Sequence, residues 1–263
     1  MKAIVYNYRF TILNVMAVCT FFSAGILHGQ GVTGSPSNGE DVITQMHEKY
    51  DGKWYKNLTF IQKTTFYNSD GTVRNVLDWY EALQIPTGLA IKFNSRDSGY
   101  GMLFSEGNQY NFQNGKLANT QKRAHELLLL GFMVYGQPPG QTISELTSND
   151  FNLEKMYLTT YRGREVYVIG ATDGEDPSNH FYIDKERLVF VKLVKYEANN
   201  TLLETKFEDY KQLSGGWIAP TVRFYMNGNQ TLLEEYREIS TPKELPEALF
   251  NPETFLQTPI PIN

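Results

Sequence analysis

Residues 58–112 alternate apolar and polar side chains in five short segments, LTFIQKTTFY, VLDWYEAL, LAIKF, GMLF and QYNF. Every second side chain of a strand points to the same face, so this alternation predicts extended strands with one apolar side. Turn-forming residues separate the segments at Asp70-Gly71, Pro86-Thr87-Gly88, Ser98-Gly99 and Gly107-Asn108. The pattern therefore predicts a broad, curved antiparallel sheet with one apolar face.

A helix is predicted just before these strands. Apolar side chains follow helical spacing over 42–50, and Gly52 comes after them as a stop signal. The motif Ser37-x-x-Glu40 is typical of a capping box at a helix N-terminus. Residues 31–39, rich in Gly, Ser, Pro and Asn, are predicted to form a flexible linker ahead of it.

The middle of the chain has a different pattern of hydrophobic residues. Residues 124–135, AHELLLLGFMVY, are apolar on nearly all sides and predict a helix of about three turns. The sequence Gly136-Gln137-Pro138-Pro139-Gly140 ends it, and Thr142-x-x-Glu145 predicts the cap of a second short helix.

Seven further strands are predicted between residues 156 and 239. The order is therefore helix, strands, helices, strands, with no linker-like stretch between 54 and 240. This order is typical of an α+β fold with one strongly curved antiparallel sheet of about a dozen strands. Residues 40–263 are predicted to form a single domain.

The N-terminus has the layout of a secretory signal peptide over residues 1–30. Lys2 and Arg9 precede an uncharged apolar run from Phe10 to Ile26, and small residues follow. A membrane-anchoring helix is the alternative, because the run is long enough to span marginally. Cys19, the only cysteine, follows Met16-Ala17-Val18, which fits a lipoprotein signal poorly. Cleavage near Gln30 would leave no cysteine and would exclude disulfides and thiol chemistry.

Charge and composition exclude some partners. The formal net charge is −5, and loss of Lys2 and Arg9 with the signal would make it −7. An acidic chain of this kind lacks the basic surface that nucleic-acid binding requires, so no nucleic-acid partner is expected. It is equally unsuited to binding anionic lipid surfaces through charge alone.

No catalytic or metal-binding motif is evident. The chain lacks a nucleophile elbow, a Walker loop and a dinucleotide fingerprint, and its four histidines lie outside metal-ligand spacings. Glu234 and Glu235 are adjacent in a strand and so point to opposite faces. We therefore expect no enzyme, no cofactor and no metal. Two acids, or an acid and a histidine, converging in the concave face would favour an enzyme instead.

A wide apolar sheet face must be covered, and the two helical segments are the only evident covers. One interpretation is an ordinary closed core. The other is a cavity for acyl chains, which the all-round apolar run Leu127–Leu130 favours because it can face a cavity and a second surface together.

The chain resembles the periplasmic lipoprotein-carrier family (LolA/LolB-like, including the outer membrane lipoprotein-sorting proteins). The resemblance covers most of residues 40–255. It rests on the helix followed by LTFIQKTTF, DWYEALQIPTGLAIKF and GMLFSEGNQYNFQNGKL, and on FYIDKERLVFVKLVKYE, FEDYKQLSGGWIAPTVRFYMNG and ALFNPETF. It implies an unclosed half-barrel whose concave apolar face is covered by helices. It also implies a monomeric, periplasmic carrier of lipid acyl chains or lipoproteins.

The resemblance also implies a set of groove residues. They are Phe60, Phe66, Trp79, Leu89, Ile91, Phe93, Met102, Phe104, Tyr110 and Phe112 from the strands, with Leu127, Leu130 and Phe132 from the helical lid. One position departs from the family, which has an arginine before the proline of the second strand where this chain has Ile85. An isoleucine donates no side-chain hydrogen bond, so gated release is in question. The alternative is an envelope sensor or assembly partner of a membrane protein, on the same scaffold with a filled core.

Overall fold

The computed structural model describes residues 34–197, 199 and 201–262. The predicted signal peptide, Cys19 and the first three residues of the predicted linker lie outside these residues.

Over the described residues, thirteen strands form one antiparallel sheet that does not close, because its edge strands β6 and β7 do not pair with each other. The order across the sheet is β6-β5-β4-β3-β2-β1-β15-β14-β11-β10-β9-β8-β7, and β12 and β13 form a separate hairpin. The predicted α+β class and the unclosed half-barrel are confirmed. The strands are β1 Asn57–Tyr67, β2 Val73–Gln84, β3 Gly88–Phe93, β4 Gly101–Ser105, β5 Asn108–Gln113, β6 Lys116–Lys122, β7 Met156–Tyr161, β8 Arg164–Ile169, β9 His180–Asp184, β10 Phe190–Glu197, β11 Thr201–Glu208, β12 Lys211–Leu213, β13 Gly216–Ile218, β14 Thr221–Met226 and β15 Asn229–Ser240.

The first helix, α1, spans Gly39–Tyr50 and buries an apolar stripe. Its cap lies one residue later than predicted. Asn38, not Ser37, is the N-cap, and its Oδ1 accepts a hydrogen bond from the backbone N–H of Asp41 at 3.0 Å. The Asp41 carboxylate in turn accepts from the N–H of Ser37 at 2.7 Å. Asn and Asp thus satisfy the exposed N–H groups that a Ser/Glu box would have served.

The predicted three-turn helix over 124–135 is interrupted. Helix α2 spans only Glu126–Gly131, and a 3-10 turn follows over Met133–Tyr135. Phe132 separates them with φ −143° and ψ −54°, outside the helical region. The break lets Phe132 and Tyr135 point to different surroundings, which a continuous helix would not allow.

The third helix, α3, spans Pro139–Ser148 and begins earlier than predicted. A proline in the first turn is favourable because the N–H that it lacks would have no helical partner there and its φ is already helical. Thr142 therefore lies inside the helix and caps nothing. Its hydroxyl accepts a hydrogen bond from the side chain of Gln137 at 2.7 Å.

The two faces of the sheet are covered by different parts of the chain. The helices and the strands β8–β10 form the principal core, where the Trp54 and Tyr135 rings stack at 3.6 Å. On the opposite face, residues 245–262 cover strands β3–β5 and form a second core around Leu103, Phe112 and Phe255. Among the described residues no helix is both long and apolar enough to cross a bilayer.

Candidate functional site

A cavity of about 250 Å³ lies between the concave face of the sheet and the helix α2. Strands β1–β4 form one side of it, strands β11, β14 and β15 the other, and α2 with the residue after it covers both. Most of its wall is aromatic or aliphatic. These apolar residues are Phe60, Trp79, Leu83, Leu89, Ile91, Met102, Phe104, Leu127, Leu128, Phe132, Phe207, Phe224 and Leu232.

Eight of the thirteen side chains expected in the groove lie in this wall. The strand register explains the grouping, since residues opposite each other in adjacent strands share a face. Leu89 pairs with Phe104, and Ile91 pairs with Met102. The eight are Phe60, Trp79, Leu89, Ile91, Met102, Phe104, Leu127 and Phe132.

Tyr110 and Phe112 face away from the cavity, so their predicted orientation is wrong. Tyr110 lies opposite Leu103 in β4, on the face that the C-terminal segment covers. Phe112 packs against Phe255 of that segment with ring centroids 4.7 Å apart. Gln109, the residue before Tyr110, occupies the concave side instead, opposite Phe104.

The other three expected residues also lie outside the cavity wall. Leu130, on α2, is fully buried in the principal core and does not line the cavity. Phe66 and Phe93 share the concave face but stand beyond the cavity, on either side of the Trp79 ring. Their ring centroids lie 6.5 Å and 4.9 Å from that of Trp79.

The cavity also contains polar side chains that the sequence reading missed, namely Gln62, Glu81, His125, Glu234 and Tyr236. Glu81 is 3% exposed, and its carboxyl has no hydrogen bond or ion pair within the described residues. The Glu234 carboxylate accepts a hydrogen bond from the Tyr236 hydroxyl at 3.3 Å. The missed signal was positional. Period two along β2 places Glu81 between Trp79 and Leu83, so its side chain lies on the same face as these two apolar residues.

Burial sets the charge of these groups. Desolvation raises the pKa of Glu81 well above its usual value, and the nearby Glu234 raises it further. Desolvation raises the pKa of Glu234 to about 8, against the hydrogen bonds from Tyr236 and Gln62. Burial lowers the pKa of His125 to about 4. Both carboxyls thus favour the protonated form, in which each has an O–H donor.

The donors of the cavity are incompletely paired. The indole Nε1–H of Trp79 has no acceptor within the described residues, and Nδ1 of His125 has no partner there. The described part of the chain places no lysine or arginine in the cavity wall. It also contains no group of three or more His, Cys, Asp or Glu side chains able to hold a metal ion.

The architecture matches solved structures at low sequence identity. A LolA superfamily protein, NE2245 from Nitrosomonas europaea, is 11% identical with a TM-score of 0.53, covering 80% of this chain and 97% of its own. A putative outer membrane lipoprotein-sorting protein domain from Vibrio parahaemolyticus is 19% identical with a TM-score of 0.54, covering 84% and 98%. The chain has the LolA-like fold.

A DUF1329 family protein from Desulfovibrio piger also shares the LolA-like fold, at 12% identity and a TM-score of 0.53, covering 81% of this chain and 95% of its own. The sequence matches no protein-family model and no curated protein.

In this LolA-like fold, α2 is tied to the second half of the sheet by an ion pair. Nζ of Lys195 on β10 lies 2.5 Å from the Glu126 carboxylate. The His125 ring meets Phe104 edge-on, with centroids 5.2 Å apart. The amide of Asn149, at the end of α3, donates to the carbonyl of Ala124 at 2.8 Å. Helix α2, the lid of the cavity, is therefore held by three contacts at or next to its N-terminus.

Ile85 makes an apolar contact with the end of the 3-10 turn that follows α2. It stands where the family that the chain resembles has an arginine. It is 8% exposed and lies against Gly136, which ends the 3-10 turn. A Cβ atom at Gly136 would stand 2.5 Å from Cγ2 of Ile85, so only glycine fits there. Close apolar packing therefore joins Ile85 to the end of the 3-10 turn.

Proposed function

We propose that the protein binds lipid acyl chains in its cavity and carries lipid or lipoproteins within the cell envelope. The single observation that carries this proposal is the apolar cavity under α2, at the concave face of a LolA-like sheet. A neighbour in fold is described as a putative outer membrane lipoprotein-sorting protein domain, which supports the same role. We place the mature protein in the periplasm as a monomer, with residues 1–30 removed and 40–263 as one domain.

Apolar burial would supply the affinity. Each buried methylene contributes about 0.8 kcal/mol, before the ordering of chain and protein is subtracted. The cavity volume of about 250 Å³ lies just below the roughly 300–1,000 Å³ usual for small-molecule sites. It therefore suits a stretch of one chain, and a longer chain requires outward movement of the lid. We propose that the eight wall residues predicted from the sequence contact the chain.

The proposal is tested on the exported protein purified from a bacterial envelope. We expect lipid mass spectrometry of its extract to recover acyl lipid, and the stripped protein to bind the hydrocarbon probe diphenylhexatriene. Leu127→Trp fills the cavity and should abolish probe binding. Leu158→Trp, the same change at a residue 53% exposed on β7, is the matched control and should bind normally. Recovery of no lipid together with no probe binding would sink the proposal.

The cavity itself supports a carrier over a sensor with a filled core. A sensor or assembly partner would still bind a specific membrane protein. Crosslinking in the envelope distinguishes the two, because a sensor would capture such a protein while its extract held no lipid.

A second candidate function is ester hydrolysis, because Glu81, Glu234 and His125 line one cavity. The contacts do not support it. Within the described residues Nδ1 of His125 has no hydrogen-bond partner, so neither acid orients the imidazole as a base. We therefore propose no catalytic step. Release of fatty acid from a monoacylglycerol by the wild type, lost in Glu81→Gln, would favour the enzyme instead.

A further inference from the structure

We propose that the cavity recognises an uncharged carbonyl oxygen of the acyl ligand, an ester or amide, through donors from Trp79, Glu81 and Glu234. This inference rests on the proposed function and specifies which part of the ligand the polar end of the cavity binds. An acyl chain attached through an ester or amide carries this oxygen, whereas a plain hydrocarbon does not.

The polar groups are adjacent in the sheet. Trp79 and Glu81 are two residues apart on β2 and share its concave face. Gln62 on β1 pairs with Trp79 on one side and with Tyr236 of β15 on the other. Glu234 lies two residues before Tyr236 on the same face. The cluster therefore spans three neighbouring strands in an otherwise apolar wall.

Hydrogen-bonding capacity in the cluster calls for an acceptor. The Trp79 Nε1–H can only donate and has no acceptor within the described residues. Glu81 is 3% exposed, and its side chain forms no hydrogen bond there. Gln62 is engaged, since its amide nitrogen donates to the Thr64 hydroxyl at 2.9 Å. An oxygen that accepts from Trp79 and Glu81 would satisfy both, and buried donors without partners are energetically unfavourable.

The same groups disfavour other ligand chemistries. A carboxylate or phosphate would have to lose its hydration beside two acids with no lysine or arginine in the described wall. An ammonium would have to lose its hydration in a mostly apolar cavity, and it would leave the Trp79 N–H, which can only donate, without an acceptor. An uncharged carbonyl escapes both penalties.

Binding should depend on the protonation of Glu234. The titratable groups that face it are Glu81 from β2, Tyr236 from β15 and His125 from the start of α2. Loss of its proton would convert a donor into a charged acceptor, which repels the carbonyl oxygen. The preference for a carbonyl should therefore weaken as the pH rises through about 8.

A matched pair of probes isolates the carbonyl. The affinities of 1-monododecanoylglycerol and its ether analogue 1-O-dodecylglycerol, which differ only by the carbonyl oxygen, are measured by displacement of diphenylhexatriene. At pH 6.5 we expect the wild type to bind the ester about tenfold more tightly than the ether. At pH 9.5 this preference should shrink, and in Glu234→Gln, where only Glu81 still titrates, it should shrink less.

Single substitutions assign the preference to its residues. Trp79→Phe keeps the ring but loses the N–H, and Glu81→Met keeps the volume but loses the donor, so both should bind ester and ether about equally. Glu81→Gln retains an N–H donor and should keep the preference. Each variant is judged by the ratio of its affinities for ester and ether, in which a general change in binding to the apolar wall cancels.

The outcomes separate the two proposals. Equal affinity of the wild type for ester and ether, with the hydrocarbon probe still bound, overturns the carbonyl inference and leaves the carrier proposal standing. Failure of the folded wild type to bind diphenylhexatriene overturns both. The wild-type comparison needs no variant, so it decides the question even if a substitution prevents folding.

Discussion

At the residue scale, the buried acids are the feature that distinguishes this cavity from a plain apolar core. Unpaired buried carboxyls destabilise a fold most when they are charged. Glu81 and Glu234 avoid this by favouring the protonated form, and His125 by staying neutral. The free energy of unfolding should therefore depend on pH, and this dependence is a signature of their titration.

Glu234→Gln should remove part of that signature. The pKa of Glu234 is about 8 in the folded protein and near its usual value of 4.5 in the unfolded chain. Between these values the folded state binds more protons, so the free energy of unfolding falls as pH rises, by at most about 1.4 kcal/mol per pH unit. Urea unfolding from pH 5 to 8 should show a shallower decline in the variant.

The neighbouring residue supplies the control for this prediction. Glu235 points to the opposite face, where its side chain is 47% exposed and pairs with Lys63. Glu235→Gln should therefore reproduce the wild-type pH profile. Parallel profiles for wild type and Glu234→Gln would show that Glu234 does not titrate in this range.

At the element scale, sequence prediction of the cavity-facing side chains succeeded in β3 and β4 and failed in β5. The alternation in β3 and β4 correctly placed Leu89, Ile91, Met102 and Phe104 in the wall. In β5 the apolar members face the second core, and nothing local distinguishes the two faces, because the covering segment is about 140 residues distant in sequence.

The lid should respond to loss of its ion pair. Glu126→Gln removes the charge that Lys195 contacts at 2.5 Å, across the gap between α2 and β10. Both side chains are largely buried, so we expect opening to become easier by roughly 1–3 kcal/mol. Stopped-flow release of diphenylhexatriene should be correspondingly faster. Glu145→Gln, a change on α3 away from this pair, should leave the release rate unchanged.

The C-terminal segment should contribute stability but not binding. Phe255 is fully buried against Phe112 on the face opposite the cavity. Phe255→Ala should lower the free energy of unfolding by about 3–5 kcal/mol, as is typical of a large core deletion. Tyr196→Ala, at a ring 38% exposed, should change it by less than about 0.5 kcal/mol. Altered probe affinity in a folded Phe255→Ala protein would contradict the separation of the two faces.

At the scale of the whole molecule, the order of the strands across the sheet could not be predicted from the sequence. Local turns predicted the hairpins, such as β3–β4 and β4–β5, because their residues are close in sequence. The pairing of β1 with β15 joins residues about 170 positions apart, Thr64 with Glu234 among them. It is this pairing that brings the second acid beside the cavity. Local sequence patterns carry no information about such a contact, so they could not predict that Glu81 and Glu234 line the same cavity.

The same pairing predicts that the molecule unfolds as one unit. Strand β1 lies between β2 and β15, so neither half of the sheet can leave without disrupting it. The three tryptophans report on different places: Trp54 stacks on Tyr135, Trp79 lies in the cavity and Trp217 is on β13. Single-tryptophan variants followed by fluorescence in urea, alongside far-ultraviolet circular dichroism, should give coincident midpoints. An earlier transition at Trp79 alone would mean that the cavity half opens separately, and carriage of a lipid could then proceed by partial unfolding rather than by movement of the lid.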